Sequence, residues 1–465
     1  MIQPARRLSR MRFAASAAFV CAAASLLGTL GGCRSDDPPA ASSATPSAGN
    51  PSAPPATERA EAGPVGETPA PAATPDNATP NSTATLTTPA TSTPPAAKTT
   101  PIEPVRALYM SGWVAGGTTR WKQLLNIVDK TELNAVVIDV KEDGMLSYAT
   151  PNVALAVETG ANHKMIPDVD AKLAELKKRK IYAIARITVF RDKIAARKKP
   201  ALAVQRPDGS PWRDRSGHFW LDPYNQQNWD YNVAVAQDAA RRGFDEVQWD
   251  YVRFPSEGAR SGRRYPARQK DDARSEARVI AEFLAYAKEK LTPSGVRVSA
   301  DVFGLALSAE DDLGIGQKLA LMAPHLDVVC PMVYPSHYGR GSLGVAYPNA
   351  SPYQTVFRAL RDGNKRLKAI PNHACTMRPW LQDFSLGVRY GEKQVRAQIQ
   401  AARANGVNEY LLWNASNRYT TAALVPPKPK KSRKPKKALA RAKPKSAPAT
   451  ATNTPTQPAA RPVSR

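Results

Sequence analysis

The chain has 465 residues, 65 Lys and Arg against 40 Asp and Glu, a formal charge of +25, and 42 prolines. That length allows two or three average domains, but a composition this rich in proline argues that much of the chain does not fold. No HExxH, P-loop or GxSxG occurs and the five histidines show no ligand spacing, so zincin, NTP-binding and serine-hydrolase chemistries are set aside and neither metal nor cofactor is expected.

At the N-terminus, Arg6, Arg7, Arg10 and Arg12 precede an apolar segment that closes on Leu30-Gly31-Gly32-Cys33. This pattern reads as an export signal over residues 1–33. Its last four residues resemble a bacterial lipobox, which implies lipidation of Cys33 and a membrane anchor through that lipid; an uncleaved membrane helix is the alternative. Residues 34–103 are mostly Pro, Ala, Thr, Ser and Gly and read as a disordered linker, because they hold too little apolar surface to offset chain entropy. The chain is therefore expected in the cell envelope, exported and lipid-anchored.

From 104 to 425 the texture changes. Eight apolar runs of strand length recur in order: "VRALYM", "NAVVIDV", "IYAIARI", "DEVQWDYV", "VRVSADVFG", "LDVVCPMVY", "LKAIPNHA" and "EYLLWNA". Segments 121–130, 168–179, 228–242, 272–291 and 392–405 have helical periodicity, and Gly243 and Gly406 stand where helix C-caps belong. Strand-then-helix units repeated eight times predict a (β/α)8 TIM barrel, α/β in class, rather than a doubly wound sheet; the glycine-rich loop expected of the latter is poorly matched by "MSGWVAGGTTR". Of the four cysteines only Cys330 and Cys375 lie in this part, either paired or as two buried thiols. Residues 426–465 hold no acid and twelve cations and read as a disordered basic tail, either one that meets anionic envelope polymers or lipid head groups rather than a specific nucleic acid, or a solubilising tail without a specific partner. Met1 to Glu103 is charge-balanced, so the barrel is basic as well, which fits either an anionic polymer as partner or a proteome-wide bias.

Catalytic groups of such barrels gather at the C-terminal strand ends. Here those ends carry Asp139, Lys141, Glu142 and Asp143; Arg186; Asp250 and Arg253; Asp301; "PMVYPSHY" with Tyr334 and His337; Asn372 and His373; and Trp413, Asn414, Asn417 and Arg418. Trp113, Trp249, Tyr251, Tyr334, Tyr338 and Trp413 are expected near the same rim, some of them as core. Acids mixed with aromatics suit a sugar site, where rings stack on pyranose C–H faces and polar groups bond hydroxyls. Glycoside hydrolysis requires two carboxyls. Asp250 is assigned as nucleophile or base, with Arg253 as its positive neighbour. Asp301, among apolar neighbours, is assigned as the acid. Asp139, Arg186, Arg253, Tyr334, His337, Trp413 and Asn414 are assigned to binding a polysaccharide substrate.

The blocks "VRALYMSGW", "VVIDVKEDG", "FDEVQWDYVRFP", "SADVFG", "CPMVYPSHY" and "EYLLWNASNRYT" resemble, in the same order, the bacterial "putative glycosyl hydrolase domain" family. That resemblance covers nearly all of 105–420 and implies a TIM-barrel glycosidase. The barrel is also similar to chitinase-like hydrolases, keeping Asp245, Asp250, Met332, Tyr334 and Trp413, but Val252 stands at the position of the chitinase acid and Pro335 replaces the sixth-strand aspartate. An amylase-like pair on strands four and five fits better. The alternative from another class is a non-catalytic envelope lipoprotein that binds glycan or peptidoglycan; a scaffold with buried rim aromatics is a third.

Overall fold

The computed structural model describes residues 104–425. The export signal with Cys33, the linker and the basic tail all lie outside the described residues.

Eight parallel strands close into a barrel: β1 (Arg106–Met110), β2 (Ala135–Glu142), β3 (Tyr182–Thr188), β4 (Glu246–Asp250), β5 (Arg297–Phe303), β6 (Val328–Met332), β7 in two pieces (Thr376–Met377 and Trp380–Gln382) and β8 (Tyr410–Trp413). Each pairs with its neighbours in sequence, and β8 and β2 both pair with β1, which closes the ring. The expected (β/α)8 architecture is thus present. Its strands are apolar on both faces because one face meets the helices and the other fills the barrel.

The main helices cover the outside: α1 (Thr119–Lys130), α2 (Val169–Lys178), α3 (Gln226–Arg242), α4 (Glu276–Leu291), α5 (Leu319–Met322), α6 (Pro352–Lys368) and α7 (Glu392–Ala404). Asp168 caps α2 by accepting from Ala171 N, and Gly243 ends α3 in the left-handed conformation that favours glycine. No helix among the described residues is long and apolar enough to cross a membrane.

The seventh strand is a correction. Leu367 and Lys368 of "LKAIPNHA" end α6, whose buried face runs Val356, Ala359, Leu360, Gly363 and Leu367, so the apolar residue belonged to helical rather than strand periodicity. Asn372 and His373 lie in the turn entering β7, where His373 Nδ1 accepts from Cys375 N at 3.1 Å, at the end of the barrel opposite the mouth. The strand itself contains Arg378, Pro379 and Gln382. Pro379 lacks an N–H and interrupts the ladder. Cys330 and Cys375 are both free and buried.

Inside the barrel, side chains two apart share a face. At the bottom, Arg378 Nη1 bonds both Glu246 oxygens (2.8 and 3.0 Å), its Nε bonds Glu409 (2.9 Å), and Ser299 and Tyr182 donate to Glu246. This buried ion pair plugs the end opposite the mouth. Two residues further along β4, Gln248 meets Cys330; two further again is Asp250.

Candidate active site

Alternation along β2, β3, β4 and β5 turns Asp139, Arg186, Asp250 and Asp301 to the barrel interior at the mouth. Arg186 is the centre of this group. Its Nη1 donates to Asp139 Oδ1 and Glu142 Oε2, both at 2.6 Å, while Nη2 and Nε donate to Asp250 Oδ2 at 2.5 and 3.0 Å. Nε also stands 4.0 Å from Asp301 Oδ2. The guanidinium lies 5.5 Å from the Trp413 ring and 5.9 Å from that of Tyr109, so one cation organises four carboxyl groups and two aromatic faces.

Each acid has its own surroundings. Asp250 Oδ1 accepts from Tyr251 N at 2.6 Å, Tyr251 being held at φ +49, a conformation rare for an aromatic residue and found where structure over-determines it. Asp301 Oδ1 accepts from Trp380 Nε1 at 2.7 Å. Burial, and next the charge of Asp250, push the Asp301 carboxyl well above the usual range, so it holds its proton where an ordinary aspartate has lost it. Asp139 accepts from Tyr109 OH at 2.5 Å and is pushed up to about 6, chiefly by burial. Burial also acts to raise Glu142, but Arg186 and Arg191 outweigh it and hold that carboxyl below its ordinary value.

A bulge between Asp139 and Lys141 on β2 re-aims the next side chain. Lys141 consequently points away from the interior and pairs with Asp192 at 2.8 Å, both fully buried, with Asn232 of α3 as a further acceptor. It supports the β3 loop rather than the mouth.

The remaining expected residues divide. Trp413 packs on Tyr109 (centroids 4.2 Å) and Trp380 (5.6 Å) beneath Arg186. Tyr334 is buried beside the pair; after burial, the Asp301 and Asp250 charges raise its phenol furthest. His337 lies 5.2 Å from Tyr334, and burial lowers its imidazole to about 4, keeping it neutral. Arg186 donates to Asp250, and Arg253 lies among the rings of Trp220, Tyr251 and Phe303 at 4.8–5.0 Å. Asn414 shapes the β8 loop, donating to Asp383 O and accepting from Ser416 N. Of the rim aromatics, Trp249 is fully buried against Phe283 of α4 and Tyr338 is in the outer core, whereas Trp113 is 70% exposed.

Sequence reasoning passed over Tyr109, Arg191 and Trp380 as site residues, and placed Glu142 at a strand end without giving it a role. Glu142 bonds Arg186 and Arg191, and Arg191 also bonds Tyr251 OH. Trp380 was hidden by the misplaced seventh strand. Tyr109 was legible: it lies one residue inside the end of β1, and the period of two brings it to the interior. Among the described residues, no group of three or more His, Cys, Asp or Glu is arranged to hold a metal ion.

Residues 107–419 match the family described as "Putative glycosyl hydrolase domain". The chain belongs to that family. This glycosyl hydrolase domain is also similar to the crystal structure of a hypothetical protein from Ruminiclostridium thermocellum ATCC 27405, with 35% identity, 44% of this chain and 98% of that chain covered, and a TM-score of 0.38. The PgaB (BpsB) glycoside hydrolase domain from Bordetella bronchiseptica is 14% identical over 70% of this chain and 100% of its own, at a TM-score of 0.51, and shares the fold. The glycoside hydrolase domain of PelA from Pseudomonas aeruginosa is 13% identical over 68% and 97%, at 0.39. No curated protein matches the chain. Family membership makes the barrel a glycosidase domain, with the acid cluster around Arg186 at the usual position for barrel chemistry.

Proposed function

We propose that the domain hydrolyses glycosidic bonds within a polysaccharide, with Asp250 as nucleophile and Asp301 as acid. The observation that carries this reading is the position of both carboxyls on one nitrogen. Arg186 Nε is 3.0 Å from Asp250 Oδ2 and 4.0 Å from Asp301 Oδ2. These two oxygens therefore lie within about 7 Å of each other, the sum of those distances, a bound that admits the roughly 5–5.5 Å carboxyl spacing of retaining enzymes. Asp301 would donate its proton to the leaving oxygen as the C1–O bond breaks and Asp250 bonds to C1. In the second step water attacks C1, Asp301 takes its proton, and Asp250 is released. Trp413 supplies a stacking face, while Asp139, Tyr334 and His337 are positioned to bond or orient the sugar.

The experiment is reducing-end release from a panel of envelope and capsular polysaccharides by the wild-type chain, Asp250→Asn and Asp301→Asn. Turnover lost in both folded variants supports the pair; turnover retained in either removes that residue from the chemistry. Asp301 is 1% and Asp250 7% exposed, and this near-complete cover favours a second reading, a barrel that binds glycan without cleaving it.

Location belongs to the same proposal. A lipid on Cys33 would tether the barrel to the envelope by a linker, and the tail would engage anionic envelope polymers; both rest on sequence features alone. Cys33→Ser should move the protein from the membrane to the soluble fraction.

A further inference from the structure

The loops after β3 and β4, residues 189–225 and 251–275, form one lobe beside the mouth. Gln205 and Arg264 exchange backbone hydrogen bonds of 2.9 and 2.8 Å, and Asp222 Oδ2 accepts from Ala267 N at 2.9 Å. Within the lobe Arg213 pairs with Phe219 in a small hairpin. Buried Asp214 anchors it by accepting from Ser216 N, His218 N and Trp220 Nε1. The lobe adjoins the acids: Trp220 pairs with Arg191 and packs 6.0 Å from Tyr251, which follows Asp250 in the chain.

Arg197, Arg206, Arg213, Arg215, Arg264 and Arg268 of this lobe are exposed, and none has a carboxylate within ion-pair distance among the described residues. Exposed acids in the two loops are Asp208 and Asp271. The helical flanks behave differently: exposed Arg179, Arg278, Arg361 and Arg403 each hold a carboxylate at 2.5–2.8 Å. Arg206 and Arg268 lie near enough to Asp208 and Asp272 to act on those carboxyls, yet six exposed guanidiniums on a braced backbone leave an excess of positive charge that an anion balances. Phe219 stands among them, 6.0 Å from Arg197 and 5.7 Å from Arg213, an apolar face for a ring whose charged group a guanidinium can take.

We propose that this lobe docks the chain of an anionic polysaccharide, a polymer bearing carboxylate groups on its sugars, whose reacting bond lies at Asp250 and Asp301. This rests on the glycosidase reading and adds the charge class of its substrate. Neutral glycans give such a lobe no counter-charge. The attraction is electrostatic and weakens with salt.

The test is binding of sodium polygalacturonate, its methyl ester and double-stranded DNA to the full-length chain carrying Asp250→Asn, which removes turnover, at two salt concentrations. A second protein adds Arg206→Gln, Arg213→Gln and Arg215→Gln. These three side chains are exposed, so an unchanged melting temperature confirms folding. Both proteins keep the basic tail, so its contribution is common to them. Polygalacturonate should bind at least tenfold more tightly than the ester, and the triple change should remove at least tenfold of that affinity and flatten its salt dependence. Equal affinity for the ester, or an unaffected triple variant, overturns the proposal. DNA bound as tightly as polygalacturonate, with the same loss in the triple variant, also overturns it by showing charge recognition without a glycan. Lobe-dependent binding together with no hydrolysis by the wild-type chain counts against the catalytic reading alone.

Discussion

Arg186 on β3 and Asp250 on β4 are joined through two guanidinium nitrogens to one carboxylate oxygen. The parallel register that pairs Arg186 with Gln248 and Thr188 with Asp250 sets this contact, since it places Asp250 one interior position nearer the mouth than Arg186, within reach of the long guanidinium side chain. Arg186 is 4% exposed. At that burial its charge and those of its partners are stable only together.

Removing Arg186 should therefore unsettle the whole cluster. Arg186→Met leaves Asp139, Glu142 and Asp250 without their shared cation and is expected to cost roughly 3–5 kcal/mol of stability, read by chemical denaturation. Arg186→Lys keeps the charge but cannot serve three carboxylates in a planar fork; it should recover less than half of that loss.

Trp380 bears on the proton of Asp301. Its indole N–H bond to Oδ1 acts to lower that carboxyl, against the larger effect of burial. A general acid works while protonated, so activity falls as pH rises through its pKa. Trp380→Phe should shift the alkaline limb of kcat upward, and an unmoved limb would exclude Asp301 as the titrating acid.

Asp222 should make the fold sensitive to pH. Burial raises its carboxyl to about 6, against the backbone donors Ala267 and Tyr224. A raised acid binds its proton more readily when folded, so its stabilisation is complete below the unfolded value and is lost as pH rises through about 6. Between pH 4 and 7, thermal melts of wild type should lose on the order of 2 kcal/mol more stability than those of Asp222→Asn, in which the contribution of this one group is absent.

The plug at the far end of the barrel should be separable from activity. Arg378→Met strands the fully buried Glu246 and is expected to cost about 3–5 kcal/mol; adding Glu246→Gln should restore a large part, because the stranded charge is gone. Turnover by the double variant, measured where it is folded, should match wild type.

Local pattern alone carried the barrel. Apolar runs of strand length, helical segments with cap residues, and acids at the strand ends are written in consecutive residues, so β1 to β6 and β8, and Asp139, Asp250 and Asp301 as interior acids, were legible. The seventh strand was not, because "TMRPWLQ" contains an arginine, a proline and a glutamine and only its position between β6 and β8 makes it a strand. Arg186 as a partner of Asp250 was equally hidden: the two are sixty-four residues apart in sequence, and strand register brings the guanidinium to the carboxylate. So residue type and period determined which groups reach the mouth. Tertiary structure decided which of them touch, because inter-strand register and a bulge on β2 act on pairs that are distant along the chain.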